Sequence, residues 1–198
     1  HPYSPNWPSY VDTQRENLEV WFCDVRDLNQ CYQAFLHFKP DTVIHLAAKV
    51  GVGQSNDKIG VYTSNNVTGT AALLNCVTSY NDQFVEGVRI REEAETYERQ
   101  EDDVEEDFEA ADAVLRGAYP QTRIAQVFIA GSMSSYGEGM YSPPSGGELI
   151  KGGRRDSILM EDGKWAAGPE GWEPVGIREA DECDPRSVYS LNKWEQER

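Results

Sequence analysis

No stretch of this 198-residue sequence approaches the roughly 20 consecutive apolar residues that a membrane-spanning helix needs, and no charged-then-apolar leader stands at its front. The first residue is His1 rather than Met, so this holds only from that point on. Positive charge is scarce as well. Lys and Arg total 18 against 34 Asp and Glu, a formal charge of -16, and lysine is the rarer base. So acidic a surface repels phosphate backbones and anionic lipid, which argues against nucleic acid and membrane as general partners and would suit a salt-adapted cytoplasm. Cysteine is sparse and scattered. Cys23, Cys31, Cys76 and Cys183 form no CxxC pair and have no His at zinc-finger spacing, so no metal is expected; isolated buried thiols in a reducing cytoplasm are.

What is present suffices for one domain: 39% hydrophobic and 26% charged residues can build a real core. The opening HPYSPNWPSY, rich in proline and aromatics without a period, reads as a surface loop. Leu18–Cys23 is short and largely apolar and predicts a strand. Asp27 then stands as an acidic N-cap before Leu28, Cys31, Phe35 and Phe38 at helical spacing, and Lys39-Pro40-Asp41 breaks that helix. Thr42–Ala48 is apolar and β-branched at its start, the pattern of a strand buried on both faces of a parallel sheet. Val61–Tyr80, with Val67, Ala71, Leu74 and Val77 or Thr78 at helical spacing, predicts a helix packed on it. Ala125–Gly131 is the next strand, and Ser187–Arg198 a helix. The alternation predicts an α/β, doubly wound parallel-sheet, Rossmann-like fold over residues 1–198.

Two insertions interrupt it. Between about residues 86 and 119 acids far outnumber Arg89, Arg91 and Arg99, while Tyr97, Val104, Phe108, Ala111 and Leu115 keep a helical stripe. This predicts a solvated helix with one apolar seam, capped near Gly117 and ended by Pro120. Residues 140–183 hold many Gly and Pro together with Trp165 and Trp172; a loop that long is commonly a lid or a substrate-binding segment.

The chemistry concentrates in Tyr189-Ser190-Leu191-Asn192-Lys193. Residues four apart share a helix face, so the Lys193 ammonium can approach the Tyr189 phenol, favour its phenolate and make it a general base near neutral pH. A serine-rich turn, Ser132-Met133-Ser134-Ser135-Tyr136-Gly137, follows the Ala125–Gly131 strand, and doubly wound sheets place ligands at strand C-termini.

Taken in order, these segments resemble the extended short-chain dehydrogenase/reductase superfamily and, within it, the NAD-dependent nucleotide-sugar epimerase/dehydratase family. Cys23-Asp24-Val25 looks like the acidic motif after the family's third strand. His45-Leu46-Ala47-Ala48 is similar to the strand end that lines the cofactor, and Gly51-Val52-Gly53-Gln54-Ser55 to the loop after it. Asn66-Val67-Thr68-Gly69-Thr70 matches the family's NVxGT segment, and the serine turn and YxxxK complete the series. The resemblance covers residues 18–80 and 125–198. Tyr136–Tyr141, Gly163-Lys164-Trp165 and Pro185–Tyr189 look most like members acting on nucleotide-linked deoxysugars such as dTDP-rhamnose, without the cysteine pairs of that subgroup.

The resemblance implies NAD as cofactor, a nucleotide-sugar as substrate and a homodimer as assembly. It carries cofactor contacts onto Asp24, Val25, Leu46, Ala47, Ala48, Asn66, Tyr189 and Lys193, substrate contacts onto Val52, Gly53 and Ser134, and catalysis onto Tyr189, Lys193 and Ser132. Tyr189 would take the proton of the sugar 4-hydroxyl as hydride leaves C4. The 4-keto sugar would turn, and hydride would return to its other face. Lys193 would hold the nicotinamide ribose and lower the Tyr189 pKa, and Ser132 would assist the proton transfer. The alternative is a 4,6-dehydratase or reductase of the same family. Dehydratases carry an Asp-Glu pair where this chain has Met133 and Ser134, and neither can serve as a good acid. A non-catalytic truncated member is the other class of reading. The family's GxxGxxG turn and the acidic residue that separates NAD from NADP do not occur in the sequence, and five residues follow Lys193. The expectation is the middle of a longer enzyme, incomplete at both ends and a poor binder of cofactor by itself.

Overall fold

The computed structural model describes residues 18–98, 117–152 and 168–198. The opening proline-rich stretch, the acidic seam beyond Glu98 up to Leu115, and Gly163-Lys164-Trp165 lie outside the described residues. Helix α1 (Leu28–Phe38) starts at its predicted cap: the Asp27 carboxylate accepts from Asn29 N and Gln30 N, satisfying two otherwise free donors. It ends at Lys39, in the left-handed region at φ 48°, whose N–H returns to Phe35 O.

Strand β1 (Thr42–His45) follows, then short helices α2 (Val52–Asp57) and α3 (Ile59–Thr63), a π turn over Ser64–Thr68, and the long helix α4 (Gly69–Glu98). Strand β2 (Gln126–Ile129) pairs with β1 in parallel, Thr42 opposite Gln126 and His45 opposite Ile129. Period-two alternation turns Val43 and Val127 onto a core of Cys31, Phe35, Leu73, Cys76, Tyr80 and Ile124, where α1 and α4 meet. The parallel pair with its helical layer belongs to the doubly wound α/β class.

Three expectations need correction. Residues Leu18–Cys23 form no strand; Trp21 and Phe22 are half exposed, and no strand among the described residues lies beside them to complete a ladder. Thr42–Ala48 is not buried on both faces, because the described helices cover only one: Ile44 on β1 is 66% exposed and Phe128 on β2 55%. The strand also stops at His45. The third correction concerns helix phase. Ala71 and Leu74 face outward, and the buried stripe is Leu73, Cys76 and Tyr80. Both sets recur at helical spacing along α4, and the Leu73, Cys76 and Tyr80 side is the one that meets Cys31 and Phe35 of α1.

Tyr80 is fully buried. Its ring meets Phe35 edge-on at 5.8 Å and Tyr32 at 6.3 Å, and its hydroxyl bonds Thr122 at 3.3 Å. Tyr80→Ala should therefore cost about 3–5 kcal/mol of unfolding free energy, read as a lower urea midpoint at unchanged slope.

The helix predicted to end at Tyr80 runs on to Glu98. Its acidic part is held on the surface by Arg89, which bridges Glu86 at 2.6 Å and Glu93 at 2.5 Å. Tyr119 closes on Gly87 so tightly that a Cβ there would lie 2.6 Å from it. Within 140–183, predicted as loop, three short strands form an antiparallel sheet. Strand β3 (Met140–Ser142) lies between β4 (Ile150–Lys151) and β5 (Glu173–Val175), with Tyr141 buried. The flanking Gly and Pro hide these strands in the sequence. Helix α5 (Val188–Gln196) begins at a Ser187 capping box.

All four cysteines are free. Burial pushes the Cys31 thiol up to about 12 and that of Cys76 to about 11. Cys23 is exposed and Cys183 half-buried, against the expectation of buried thiols, since Cys23 sits on the unpaired segment before α1. Among the described residues no helix is long and apolar enough to cross a membrane.

Candidate functional site

Helix α5 packs on α2, α3, the π turn and the short 3-10 turn Met133–Tyr136. Its first N–H groups are capped from α2, 132 and 134 residues away in the chain. Tyr189 N donates to Ser55 Oγ at 3.0 Å, and Val188 N to Asn56 Oδ1 at 3.1 Å. Sequence reasoning missed both residues, because a cap supplied by another element leaves no local pattern.

Tyr189 is 9% exposed, and among the described residues no hydrogen bond ties its phenol down. Lys193, four residues on, is buried, and its ammonium donates to Ala130 O at 2.8 Å. An ammonium has three donors, so two are left for other partners. The bond anchors α5 at the C-terminal end of β2, where the Ser132 turn begins. Desolvation lowers the Lys193 pKa from its ordinary value, with the Glu197 carboxylate opposing.

Ser132 caps the 3-10 turn: its Oγ accepts from Ser134 N and pairs with Ser134 Oγ at 2.8 Å. Met133 points out of the same turn, 83% exposed. Gly137, at φ +82°, ends it; a Cβ there would meet Asp184 O at 2.7 Å, and Asp184 N donates to Ser135 O. The segment entering α5 is thereby stitched to the serine turn. Of the residues matched to substrate contacts, Val52 and Gly53 lie exposed at the start of α2, on the element that caps α5. Met133 and Tyr136 also face a cleft lined by Met140, Tyr141, Ile177 and Arg178.

A second cleft gathers half of the cofactor candidates. Trp21, Asp24, Val25, Ala47, Ala48 and Lys49 line it. Leu46 is 72% exposed and is not among the lining residues. Asp24 accepts from Arg26 N and Nε at Oδ1, and from Arg26 Nη2 and Nε at Oδ2. These bonds hold its carboxyl at about pKa 2. Each carboxylate oxygen thus accepts twice, about its full capacity, with the Arg26 Nε–H shared between the two.

Asn66 lines neither cleft. Fully buried in the π turn, it grips the backbone of Lys49, accepting from Lys49 N at 2.7 Å and donating to Lys49 O at 3.1 Å. It therefore holds the backbone of a residue in the wall of the second cleft.

A family model described as GDP-mannose 4,6 dehydratase matches residues 6–92. Over 184 residues, 92% of the chain, the sequence is 24% identical to the dTDP-L-rhamnose 4-epimerase of Burkholderia thailandensis, of which it spans 39%. Over 58 residues, 29% of the chain, it is 43% identical to the bifunctional protein GAL10 of Candida maltosa, the match spanning 38% of that protein. A solved UDP-glucose 4-epimerase shares the fold at TM-score 0.50 and 17% identity, over 92% of this chain and 32% of that one. The chain spans well under half the length of these relatives.

Proposed function

Since the chain belongs to the extended short-chain dehydrogenase/reductase family of nucleotide-sugar epimerases and dehydratases, we propose that it inverts C4 of a nucleotide-linked sugar with NAD. The residues present suit that cofactor. Asp24 and Val25 stand in the wall of the second cleft, and Lys193 has two free donors for ribose hydroxyls. When bound, NAD accepts a hydride from the sugar and gives it back. Tyr189, with its phenol untethered, takes the proton of the 4-hydroxyl and later returns it. The Ser132 hydroxyl, steadied by Ser134, stands in the turn against which α5 packs and relays that proton. Asp24, Val25, Ala47 and Ala48 line the adenine and ribose side.

The observation that carries inversion over dehydration is the turn itself. At its tip stand the Met133 thioether and the Ser134 hydroxyl, neither able to protonate a departing hydroxyl at neutral pH. The dehydratase-type family match ends at residue 92, before both the serine turn and α5, so it speaks to the cofactor half of the chain. The chain, supplied where needed with a glycine-rich strand–turn–helix and a C-terminal segment from an epimerase, should be incubated with NAD and nucleotide-linked sugars and followed by NMR. C4 should invert with C6 unchanged and no net consumption of cofactor. A 4-keto-6-deoxy product from a 6-hydroxyl sugar would establish the dehydratase instead.

A further inference from the structure

One turn beyond Lys193, Gln196 enters the protein interior rather than solvent. Its Nε2 donates to Asn66 O at 2.7 Å and to Thr70 Oγ1. Thr70 Oγ1 lies 2.6 Å from Asn66 O and 2.9 Å from His45 Nε2. Proton accounting fixes the roles. Two oxygens 2.6 Å apart need a hydrogen between them, and a carbonyl has none, so the single Thr70 proton goes to Asn66 O. The two Thr70 lone pairs then accept from Gln196 and from His45. His45 is 5% exposed, and burial together with the nearby Lys193 charge keeps its ring neutral. Its proton therefore sits on Nε2.

The same Asn66 grips both backbone polar groups of Lys49 in the second cleft's wall. A continuous chain of bonds thus runs from the last turn of α5, through α4 and the π turn, to that wall, with a branch to the end of β1. We infer that Gln196 is a positioning residue that couples the helix carrying Tyr189 and Lys193 to the Lys49 wall through Thr70 and Asn66, and that the same tie fixes His45 as an Nε2–H donor. The function assigned to the coupling rests on the cofactor assignment of that cleft; the bonds themselves do not.

The test uses the 198-residue chain and the epimerase-completed form described above. Isotope-labelled histidine NMR on the wild type should show His45 as a single Nε2–H tautomer. Thr70→Val should release it to a mixture, and Thr70→Ser, which keeps the hydroxyl, should restore the pure form. Gln196→Leu should raise the hydrogen-exchange rate of the Lys49 amide about tenfold, and Gln196→Met, the spare if the first variant does not fold, should do the same. In the completed form either change should weaken NAD binding by about tenfold, and Thr70→Val combined with Gln196→Leu should cost less than the product of the single effects. A wild-type Nδ1–H tautomer, or unchanged Lys49 exchange in the Gln196 variants, overturns the coupling. If the wild type binds no NAD while the exchange and tautomer results hold, the cofactor assignment falls and the coupling stands.

Discussion

Tyr189→Phe in the completed enzyme should lower turnover by about two to four orders of magnitude while NAD affinity and melting temperature stay at wild-type values. The structure makes this substitution unusually clean. Tyr189 is held by its backbone N–H, which donates to Ser55, and the phenol oxygen is not tied to any described residue, so its loss leaves no described partner unsatisfied. The ring stays to fill its buried place on α5. Calorimetric NAD titration and initial rates on one preparation separate the two effects; turnover within threefold of wild type would remove Tyr189 from the chemistry.

Lys193→Met should cost at least about a hundredfold in turnover and, unlike the first change, weaken NAD binding too, because it removes the two ammonium donors left over for a ribose. Stability should respond in a pH-dependent way. Burial depresses the Lys193 pKa, so the unfolded chain holds this proton more tightly than the folded one. Relative to the Met variant, the wild type should gain stability as pH rises from the folded-state pKa of Lys193 towards the ordinary lysine value, and lose it as pH falls back through the same window. Parallel denaturant titrations at a series of alkaline pH values would show this as converging or crossing curves. A difference that does not vary with pH would mean that the ammonium is solvated in the folded protein.

The features legible in the sequence are those written locally. Asp27 caps its own helix, and Tyr189 and Lys193 share a face because both lie on α5, so a spacing of four residues was enough to find them. Where the outcome depends on something distant, local pattern fails. Leu18–Cys23 has the composition of a strand, yet a ladder needs a neighbour. Which side of α4 is buried is set by Cys31 and Phe35 of α1, and more than one set of residues in Val61–Tyr80 fits the helical period. Gln196 looks like any polar residue near a helix end; its partners lie more than a hundred residues earlier. Asn66 was found as a motif residue, but its grip on the Lys49 backbone shows why its type matters: only a side-chain amide both donates and accepts in that geometry.

The contact of Tyr119 with Gly87 bears on how such a chain tolerates change in length. The chain after Gly87 thus leaves and re-enters the described fold at touching points, Gly87 and Tyr119, and is closed at its base. For a loop of that kind, doubling the length adds only about 0.6 kcal/mol of closure entropy. By closure entropy alone, a change in the length of residues 88–118 therefore has little leverage on the fold. The Gly87 position has much more, since any side chain there would pry the base open.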